Sequence, residues 1–210
     1  MVTAGPTHEK IDPVRFIGNY SSGKMGFAIA EALANQGAKV ILIAGPVNLY
    51  IHHPNIERIN VTSAVEMYET AMERFPGTNG AVMCAAVADY RPLETSNKKI
   101  KRDKGSMHIE LVPNPDIAAS LGQIKTSEQL LVGFALETND ERENAWLKLK
   151  KKNLDFIVLN SLNDKGAGFQ TDTNKISIIN SDNKIIDFEL KSKSLVALDI
   201  VEQMNQQMML

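Results

Sequence analysis

A glycine-containing segment near the start of the chain has the residue types of an anion-binding site. Gly23 and Gly26 stand on either side of Lys24 and precede an alanine-rich, amphipathic stretch that begins at Phe27. This order predicts a strand, a long polar loop and then a helix. Backbone N–H groups at a helix N-terminus and the helix dipole both favour negative charge. The segment therefore predicts a phosphate site, with Lys24 adding a positive charge beside it.

The glycines alone leave more than one interpretation open. A dinucleotide site has the spacing Gly-x-Gly-x-x-Gly and an acid after the second strand, whereas this chain has Gly-x-x-Gly and then Ala44-Gly45-Pro46 at that strand end. A P-loop is excluded, because no Gly-Lys-Ser/Thr follows a glycine at the required spacing. A glycine turn that only packs a helix against a strand fits the pattern as well as a phosphate site does.

The composition is that of an ordinary globular protein. Of 210 residues, 43% are hydrophobic and 23% are charged, and the formal net charge is −2. The near-neutral charge gives no reason to expect nucleic-acid or membrane binding, and no apolar run is long enough to cross a bilayer. The single cysteine, Cys84, cannot form an internal disulfide, so a cytoplasmic location and a buried core thiol are expected.

Apolar runs alternate with helical patterns, which predicts a single α/β domain over residues 1–210. We expect a Rossmann-like, mainly parallel sheet with helices on both faces, followed by a C-terminal β-hairpin and helix. The predicted strands are Val2–Thr3, Lys39–Ile43, Ile56–Val61, Ala81–Ala85, Leu130–Ala135 and Phe156–Leu159, with a hairpin of Lys175–Ile179 and Ile185–Leu190. The predicted helices cover Phe27–Gln36, Ala64–Phe75 after Thr62 or Ser63, Asp116 to Gly122, Asn139 or Asp140 to Lys152, and Ser192 or Ser194 to Met208.

Several motifs follow one another in order along nearly the whole chain. They lie at residues 12–15, 19–26, 85–91, 99–102, 113–117, 132–138 and 148–160. Together they resemble the phosphopantothenate–cysteine ligase domain, which usually forms the C-terminal half of the bacterial bifunctional flavoprotein of coenzyme A biosynthesis. An ordered set of motifs is far more specific than any one of them alone.

The resemblance implies a ligase that joins (R)-4′-phosphopantothenate to L-cysteine. CTP activates the carboxylate, giving an acyl-cytidylate and pyrophosphate, and cysteine then displaces CMP. Mg²⁺ is expected with CTP, while the four histidines have no cysteine or acid at metal-ligand spacing, so no metal held by protein side chains is predicted.

The resemblance also implies a homodimer and a partner domain. Because the first predicted strand is very short, we expect the domain to be cut from a longer chain, with Met1 an added start. The missing half would be the phosphopantothenoylcysteine decarboxylase, which carries FMN.

The same resemblance assigns roles to individual residues. Asn19 is expected to donate a hydrogen bond to the acyl oxygen, and Lys99 to neutralise charge on the transferred phosphoryl group. The basic segment 94–106 is expected to be a mobile flap over the nucleotide; it contains Lys101, and Arg102 where the family usually has lysine. The implied nucleotide-binding residues are Ser22, Gly23, Lys24, Gly26, Ala85, Ala86, Val87, Asp89, Lys99, Pro113, Asn114, Pro115, Asp116, Phe134, Lys148 and Lys152.

Each of these residues also has a purely structural interpretation. Asn19 is typical of a turn or helix cap, residues 113–116 of helix initiation, Phe134 of a core, and residues 148–152 of a solvated helix end. The flap segment has the composition of a solvated basic surface. Two rival functions stay open: an ATP-using version of the same ligase, and a non-catalytic nucleotide- or dinucleotide-binding module. The loop 166–169 is a further candidate for the border of the pocket.

Overall fold

The structure is a computed structural model that describes residues 1–102, 105–137, 139–161 and 171–208. The strands are β1 (Val2–Ala4), β2 (His8–Lys10), β3 (Phe16–Gly18), β4 (Val40–Ala44), β5 (Ile56–Asn60), β6 (Gly80–Met83), β7 (Tyr90–Pro92), β8 (Leu111–Pro113), β9 (Leu130–Glu137), β10 (Phe156–Ser161), β11 (Thr173–Asn174), β12 (Ile176–Asn180), β13 (Ile185–Asp187) and β14 (Lys191–Ser192). The helices are α1 (Lys24–Asn35), α2 (Ala64–Arg74), α3 (Ile117–Ile124), α4 (Glu141–Lys151) and α5 (Lys193–Met208), with a short 3₁₀ helix at Phe75–Gly77.

The central sheet has the strand order β13-β12-β10-β9-β6-β1-β4-β5. From β10 to β5 each strand runs parallel to its neighbours, whereas β12 is antiparallel to β10 and β13 is antiparallel to β12. Three two-stranded ribbons, β2–β3, β7–β8 and β11–β14, lie outside this sheet. The predicted Rossmann-like α/β fold with a C-terminal hairpin is confirmed, and the hairpin strand β12 extends the main sheet.

Both faces of the sheet are covered by helices. In β10, Phe156 and Val158 pack on the face that α1 and α5 cover, while Ile157 and Leu159 pack on the face of α2, α3 and α4. Parallel strands that are buried on both faces are apolar at successive positions, which is why the sequence shows them as continuous apolar runs. Of the helices in the described ranges, none is long and apolar enough to cross a membrane.

Short polar side chains set the starts of two helices. Ser63 Oγ accepts the N–H of Glu66 at 3.2 Å, and Glu66 Oε2 accepts the N–H of Thr62 at 2.7 Å, so Ser63 is the cap of α2. Asp116 Oδ1 accepts the N–H of Ala119 at 3.1 Å and caps α3, as the sequence predicts.

Of the strand ends that differ from the prediction, those of β6 and β9 concern the expected site. β6 ends at Met83 instead of Ala85, because the N–H of Ala85 donates to Thr3 Oγ1 at 3.2 Å instead of continuing the strand ladder. Cys84 consequently lies just beyond the strand in which it was expected. β9 continues two residues past its predicted end, so Phe134 lies inside the strand.

Helix α1 lies very close to strand β1. The helix begins at Lys24 instead of Phe27, which places Gly26 in its first turn. A Cβ added at Gly26 would lie 2.6 Å from Ala4 Cβ, so only glycine allows this approach. Gly23 is the residue before the helix and has φ 79°, a left-handed conformation that favours glycine. The packing interpretation of the sequence therefore applies to both glycines, whatever ligand the helix end receives.

We expect Gly26→Ala to lower the free energy of unfolding by about 1–3 kcal/mol, because the added methyl group collides with Ala4 in a packed core. Gly77→Ala is the matched control, since a Cβ there would have no heavy atom within 4 Å. The control should change the stability by less than about 0.5 kcal/mol. Urea unfolding followed by circular dichroism compares the two variants, and a midpoint for Gly26→Ala equal to that of the wild type would contradict the close packing.

Candidate functional site

A large cleft opens where the chain leaves the carboxyl end of β6, next to β1. The strand order reverses at this point, which is where open α/β sheets bind ligands. The cleft has a volume of about 870 Å³. Its walls are formed by the segment after β6, the turn before α3 and the last turn of α4. The lining residues are Thr3, Asn19, Met83, Ala85, Ala86, Val87, Ala88, Asp89, Tyr90, Pro113, Asn114, Pro115, Asp116, Ile117, Ala118, Gly133, Phe134, Leu136, Lys148, Lys151, Lys152, Leu154 and Ile157.

A smaller cavity of about 130 Å³ lies at the N-terminus of α1. Its lining includes the remaining predicted residues of the glycine segment. Four residues also line the large cleft: Ala85, Ala86, Phe134 and Leu136. The first turn of α1 contains no acidic residue, so the positive end of the helix dipole is not neutralised there. Its lining residues are Ser21, Ser22, Gly23, Lys24, Met25, Gly26, Cys84, Ala85, Ala86, Phe134, Ala135, Leu136, Asn160, Asn174 and Lys193.

Two lysines face this smaller cavity. Lys24 Nζ donates to Asp172 Oδ1 at 2.5 Å, and this hydrogen bond lowers the pKa of Asp172. Lys193 is buried and donates from Nζ to the carbonyl of Thr171 at 2.6 Å. Its burial, and then the nearby charge of Lys24, lower the pKa of Lys193. An anion bound between the two ammonium groups would offset the effect of Lys24 on the charge of Lys193.

Two asparagines complete the polar wall of the smaller cavity. Asn174 is buried, and its Nδ2 donates to Asn160 Oδ1 at 3.0 Å. Among the described residues, Asn174 Oδ1 has no hydrogen-bond donor. A buried acceptor without a donor costs about 1–3 kcal/mol. A donor group on a ligand in this cavity would remove that cost.

Asn19 reaches the large cleft from the loop after β3. Its Nδ2 donates to the carbonyl oxygens of Ala86 and Val87, at 3.0 and 3.2 Å. Both amide hydrogens are therefore engaged with the segment after β6. The donation to an acyl oxygen that the resemblance predicts requires one of these two hydrogen bonds to be exchanged for the substrate.

Asn114 holds the turn before α3 in place. Its Nδ2 donates to the carbonyl of Ala88 at 2.8 Å, and its Oδ1 accepts from Arg91 Nη1 at 3.1 Å. Its backbone N–H donates to the carbonyl of Asp89 at 2.8 Å. Because both ends of the amide have protein partners, Asn114 supports the wall of the cleft. Recognition of a base edge by this turn would fall to its backbone groups.

The last turn of α4 contributes positive charge to the large cleft. Lys148 and Lys152, the two expected nucleotide ligands, line it, and so does Lys151, which was not among the expected residues. Lys152 Nζ donates to Asp116 Oδ1 at 3.0 Å, so two of the expected nucleotide ligands pair with each other. Asp89 is exposed on the segment after β6.

The predicted basic residues of the flap line neither of these two cavities; they are Lys99, Lys101 and Arg102. All three are exposed. Two backbone N–H groups of the same segment donate hydrogen bonds to the loop between β2 and β3. The candidate loop 166–169 lies outside the described residues.

A magnesium ion that arrives with a nucleotide fits this cleft. In the described parts of the chain, no group of three or more His, Cys, Asp or Glu side chains could hold a metal. Nucleotide-bound Mg²⁺ usually needs only one or two carboxylates besides the phosphate oxygens. The large cleft offers two such carboxylates, Asp89 and Asp116.

The sequence model of one family, described as the DNA/pantothenate metabolism flavoprotein C-terminal domain, matches residues 1–208. The chain belongs to this family.

Relatives with known names cover nearly the whole of this chain. A cysteine/cysteine sulfinic acid decarboxylase from an unknown prokaryotic organism is 57% identical over 202 residues, covering 96% of this chain and 56% of that protein. The coenzyme A biosynthesis bifunctional protein CoaBC of Vibrio parahaemolyticus is 45% identical over 210 residues, covering 99% of this chain and 52% of that protein. The chain therefore spans about half the length of the curated relatives it matches.

A solved structure agrees with the fold of this family member. The crystal structure of the C-terminal domain of CoaBC matches with a TM-score of 0.82 at 42% identity, covering 98% of this chain and 94% of that chain. The resemblance that the sequence motifs suggested is confirmed at the level of the family.

Besides Ser21, which belongs to the predicted glycine segment, three polar residues of the smaller cavity were not among the predicted site residues. For Lys193 a signal existed, because a lysine in the first turn of a helix opposes the helix dipole and needs a structural reason. Asn160 follows the apolar run of β10 and is a weaker signal. Asn174 stands on a two-residue strand, and nothing in the sequence around it indicates burial.

Cys84 is half-buried in the wall of the smaller cavity, not fully buried in the core as expected. Burial of the thiol raises its pKa from an ordinary 9.0 to about 12. The folded state holds the thiol proton more tightly than the unfolded state, so the protonated thiol contributes to the stability of the fold. This contribution is complete when the pH is below the thiol pKa of the unfolded chain. It is lost as the pH rises towards the thiol pKa of the folded chain.

We expect the thiol of Cys84 to react slowly with iodoacetamide at about pH 8, because the thiolate is the reacting form and it is scarce there. Unfolding in guanidinium chloride should restore the ordinary thiol reactivity. Intact-mass measurement of the alkylated fraction over time compares the two states. Equal labelling rates in the folded and unfolded chain would show that the thiol is neither enclosed nor shifted.

Proposed function

We propose that this chain is a ligase domain that joins (R)-4′-phosphopantothenate to L-cysteine in coenzyme A biosynthesis, using CTP. The observation that carries the proposal is the convergence of distant motifs in one cleft. The cleft is lined by Asn19, residues 85–89, residues 113–116, Phe134, and by Lys148, Lys151 and Lys152. The likeness to the C-terminal domain of CoaBC supports the same assignment.

The relatives include a protein named as bifunctional, and we assign its two activities to different halves of the longer chain. One relative is a bifunctional coenzyme A biosynthesis protein and another is named as a decarboxylase, and the chain covers about half of each. We infer that ligation belongs to the matched half and that decarboxylation, with FMN, belongs to the other half. The native ligase would then be fused to, or associated with, a flavin-dependent decarboxylase.

In the first half-reaction, a carboxylate oxygen of phosphopantothenate attacks the α-phosphorus of CTP. The bond from that phosphorus to the bridging oxygen of the β-phosphate breaks, and pyrophosphate leaves with the electron pair. The N-terminus of α1, with Lys24 and Lys193 beside it, has the charge to hold phosphate groups. Lys99 would neutralise the charge that develops on the transferred phosphoryl group, as cations do in such reactions.

In the second half-reaction, the amine of cysteine attacks the acyl carbon of the acyl-cytidylate. The bond between the acyl carbon and the phosphate oxygen breaks, CMP leaves, and the amine nitrogen loses a proton. Negative charge builds up on the carbonyl oxygen before CMP leaves. The amide of Asn19 lines the cleft and could donate to this oxygen after giving up its hydrogen bond to Ala86 or Val87.

CTP is expected to bring Mg²⁺, which lowers the negative charge of the phosphates while it is bound to them. Asp89 or Asp116 would complete the coordination from the cleft wall. The base would lie near the segment after β6 and the turn before α3. An ATP-using ligase differs in this base site alone, so a nucleotide comparison separates the two.

We also propose that the domain acts as a homodimer. Large apolar side chains are exposed on and beside the neighbouring ribbons β2–β3 and β7–β8, a surface that a second copy would cover. They include Phe16, Tyr90 and Leu111, which are 52%, 54% and 42% exposed. Within the described ranges, the flap residues that leave this surface do not line either cavity of their own chain, which is consistent with a site near a subunit interface.

Pyrophosphate release tests the proposed function directly. The chain is incubated with 4′-phosphopantothenate and Mg²⁺, with CTP or ATP, and with or without cysteine. CTP-dependent release, with amide product only when cysteine is added, supports the ligase and its pyrimidine preference. Release with ATP but not with CTP would support the ligase assignment and reject the preference for a pyrimidine base. Tight dinucleotide binding without release would favour a non-catalytic module.

We expect Asn19→Asp to separate the two half-reactions. The substitution keeps the side-chain volume but removes both amide hydrogens, so pyrophosphate should still be released. Transfer of the acyl group to cysteine should fall by about 100-fold, the usual effect of losing one donor to a developing oxyanion. Quenched-flow analysis with labelled CTP detects the accumulating acyl-cytidylate. Equal losses in both half-reactions would contradict the assigned role.

We expect Lys99→Gln to reduce the rate of pyrophosphate release by about 100-fold, because a charge that stabilises the transferred phosphoryl group is removed. The neighbouring Lys98→Gln is the matched control. Lys98 has the same charge and exposure, and the contacts it makes with Ser96 use its backbone. Thermal unfolding should be unchanged in both variants. Similar rates for Lys99→Gln and Lys98→Gln would reject the specific role of Lys99.

A further inference from the structure

Asp12 is a buried carboxylate in the loop between β2 and β3, and its side chain has no exposed surface. Its Oδ1 accepts the N–H groups of Val14 and Arg15, at 2.8 and 2.9 Å. Its Oδ2 accepts from Arg15 Nε at 3.0 Å, from Arg15 Nη2 and from the N–H of Ile100 at 3.1 Å. Five donors thus converge on one carboxylate, which saturates its acceptor sites.

The two oxygens of Asp12 serve different purposes. Oδ1 closes a local turn with the next residues, which an asparagine or serine could do equally well. Oδ2 instead binds a residue that is 88 positions away in the sequence. The hydrogen bond from Arg15 is the main cause of an Asp12 pKa well below its usual range, so the carboxylate stays charged. An ion pair between this buried carboxylate and the exposed Arg15 side chain exceeds what the turn alone requires.

The ion pair of Asp12 and Arg15 binds both backbone polar groups of one flap residue, Ile100. The N–H of Ile100 donates to Asp12, and its carbonyl accepts from Arg15 Nη2 at 3.0 Å. A second attachment precedes it, because the N–H of Ser96 donates to the carbonyl of Ile11 at 3.0 Å. The stem of the flap, residues 96–100, is therefore fixed at Ser96 and at Ile100, and Lys99 directly precedes Ile100.

The same carboxylate also holds the start of β3. Arg15 directly precedes this strand, and Asn19 directly follows it. One buried group thus joins the loop that leads to Asn19 with the segment that carries Lys99.

We propose that Asp12 is a positioning residue that fixes the stem of the basic flap against the loop between β2 and β3 and so places Lys99 for phosphoryl transfer. This inference rests on the proposed ligase function and adds a residue that contacts no substrate. The placement of a cation within a fraction of an ångström controls how well it stabilises a transition state. The ion pair is therefore expected to affect turnover more than substrate binding.

Asp12→Asn tests this proposal, because the amide oxygen preserves the local turn while Nδ2 cannot accept from Ile100 or Arg15. Hydrogen exchange of a peptide covering residues 96–102 should accelerate by about 10-fold or more, the expected effect of losing hydrogen bonds to a charged group. The kcat for pyrophosphate release should fall by about 10- to 100-fold, with KM values for CTP and phosphopantothenate within about twofold.

Asp182→Asn is the matched control. Asp182 also accepts a backbone N–H two residues on, that of Lys184 at 3.2 Å, but it lies in the exposed β12–β13 turn. This variant should change neither the exchange of residues 96–102 nor kcat.

Ile100→Pro is the complementary variant, because it deletes the N–H donor and leaves Asp12 and Arg15 in place. It should reproduce the loss of kcat, and the double variant should lose no more than either single one. If Asp12→Asn does not fold, Ile100→Pro carries the test alone.

Each outcome has a separate meaning. Unchanged exchange at residues 96–102 in the variants, or faster exchange with unchanged kcat, overturns the role of Asp12. A uniform rise in KM with unchanged kcat also overturns it, since that would indicate a binding role. Absence of pyrophosphate release in the wild-type chain overturns the proposed function instead, and the exchange measurement then still decides whether Asp12 anchors the flap.

Discussion

The close approach of helix α1 to strand β1 determines where both cavities lie. Because Gly26 has no side chain, the first turn of the helix rests directly on Ala4, and its free N–H groups lie beside the carboxyl end of the strand. The segment after β6 passes the same strand end, where the N–H of Ala86 donates to the carbonyl of Gly5 at 2.9 Å. The wall that separates the two cavities is thus built on one strand end. A wider separation of helix and strand would change the shape of both cavities at once.

The two cavities differ in how their polar groups are satisfied. In the large cleft, Asn19, Asn114 and Asp116 all have protein partners, so the wall is ordered before any ligand arrives. A ligand there must exchange existing hydrogen bonds or use backbone groups and shape. The smaller cavity instead holds an unsatisfied acceptor on Asn174 and a buried ammonium on Lys193. Binding there gains more from electrostatics, because burial strengthens each charge interaction.

Local patterns allowed much of the fold to be predicted, and tertiary contacts account for the rest. The run of β10 and the cap residues Ser63 and Asp116 are readable because their signals lie within a few residues. The end of β6 is set by the hydroxyl of Thr3, which is 82 residues away, and no local pattern reports it. In the same way, the motifs identified the walls of the large cleft, whereas Lys193 reaches the smaller cavity from the C-terminal helix.

The net charge of −2 conceals a local concentration of cations. Lysines line the end of the large cleft, two more face the smaller cavity, and the flap carries another group of basic residues beside the loop between β2 and β3. A bound anion experiences the charges within about one Debye length, roughly 8–10 Å at physiological ionic strength, and not the charge of the whole chain. Near-neutral composition therefore argues against binding of long polyanions along the surface. It does not argue against a small polyphosphate held where these lysines meet a helix N-terminus.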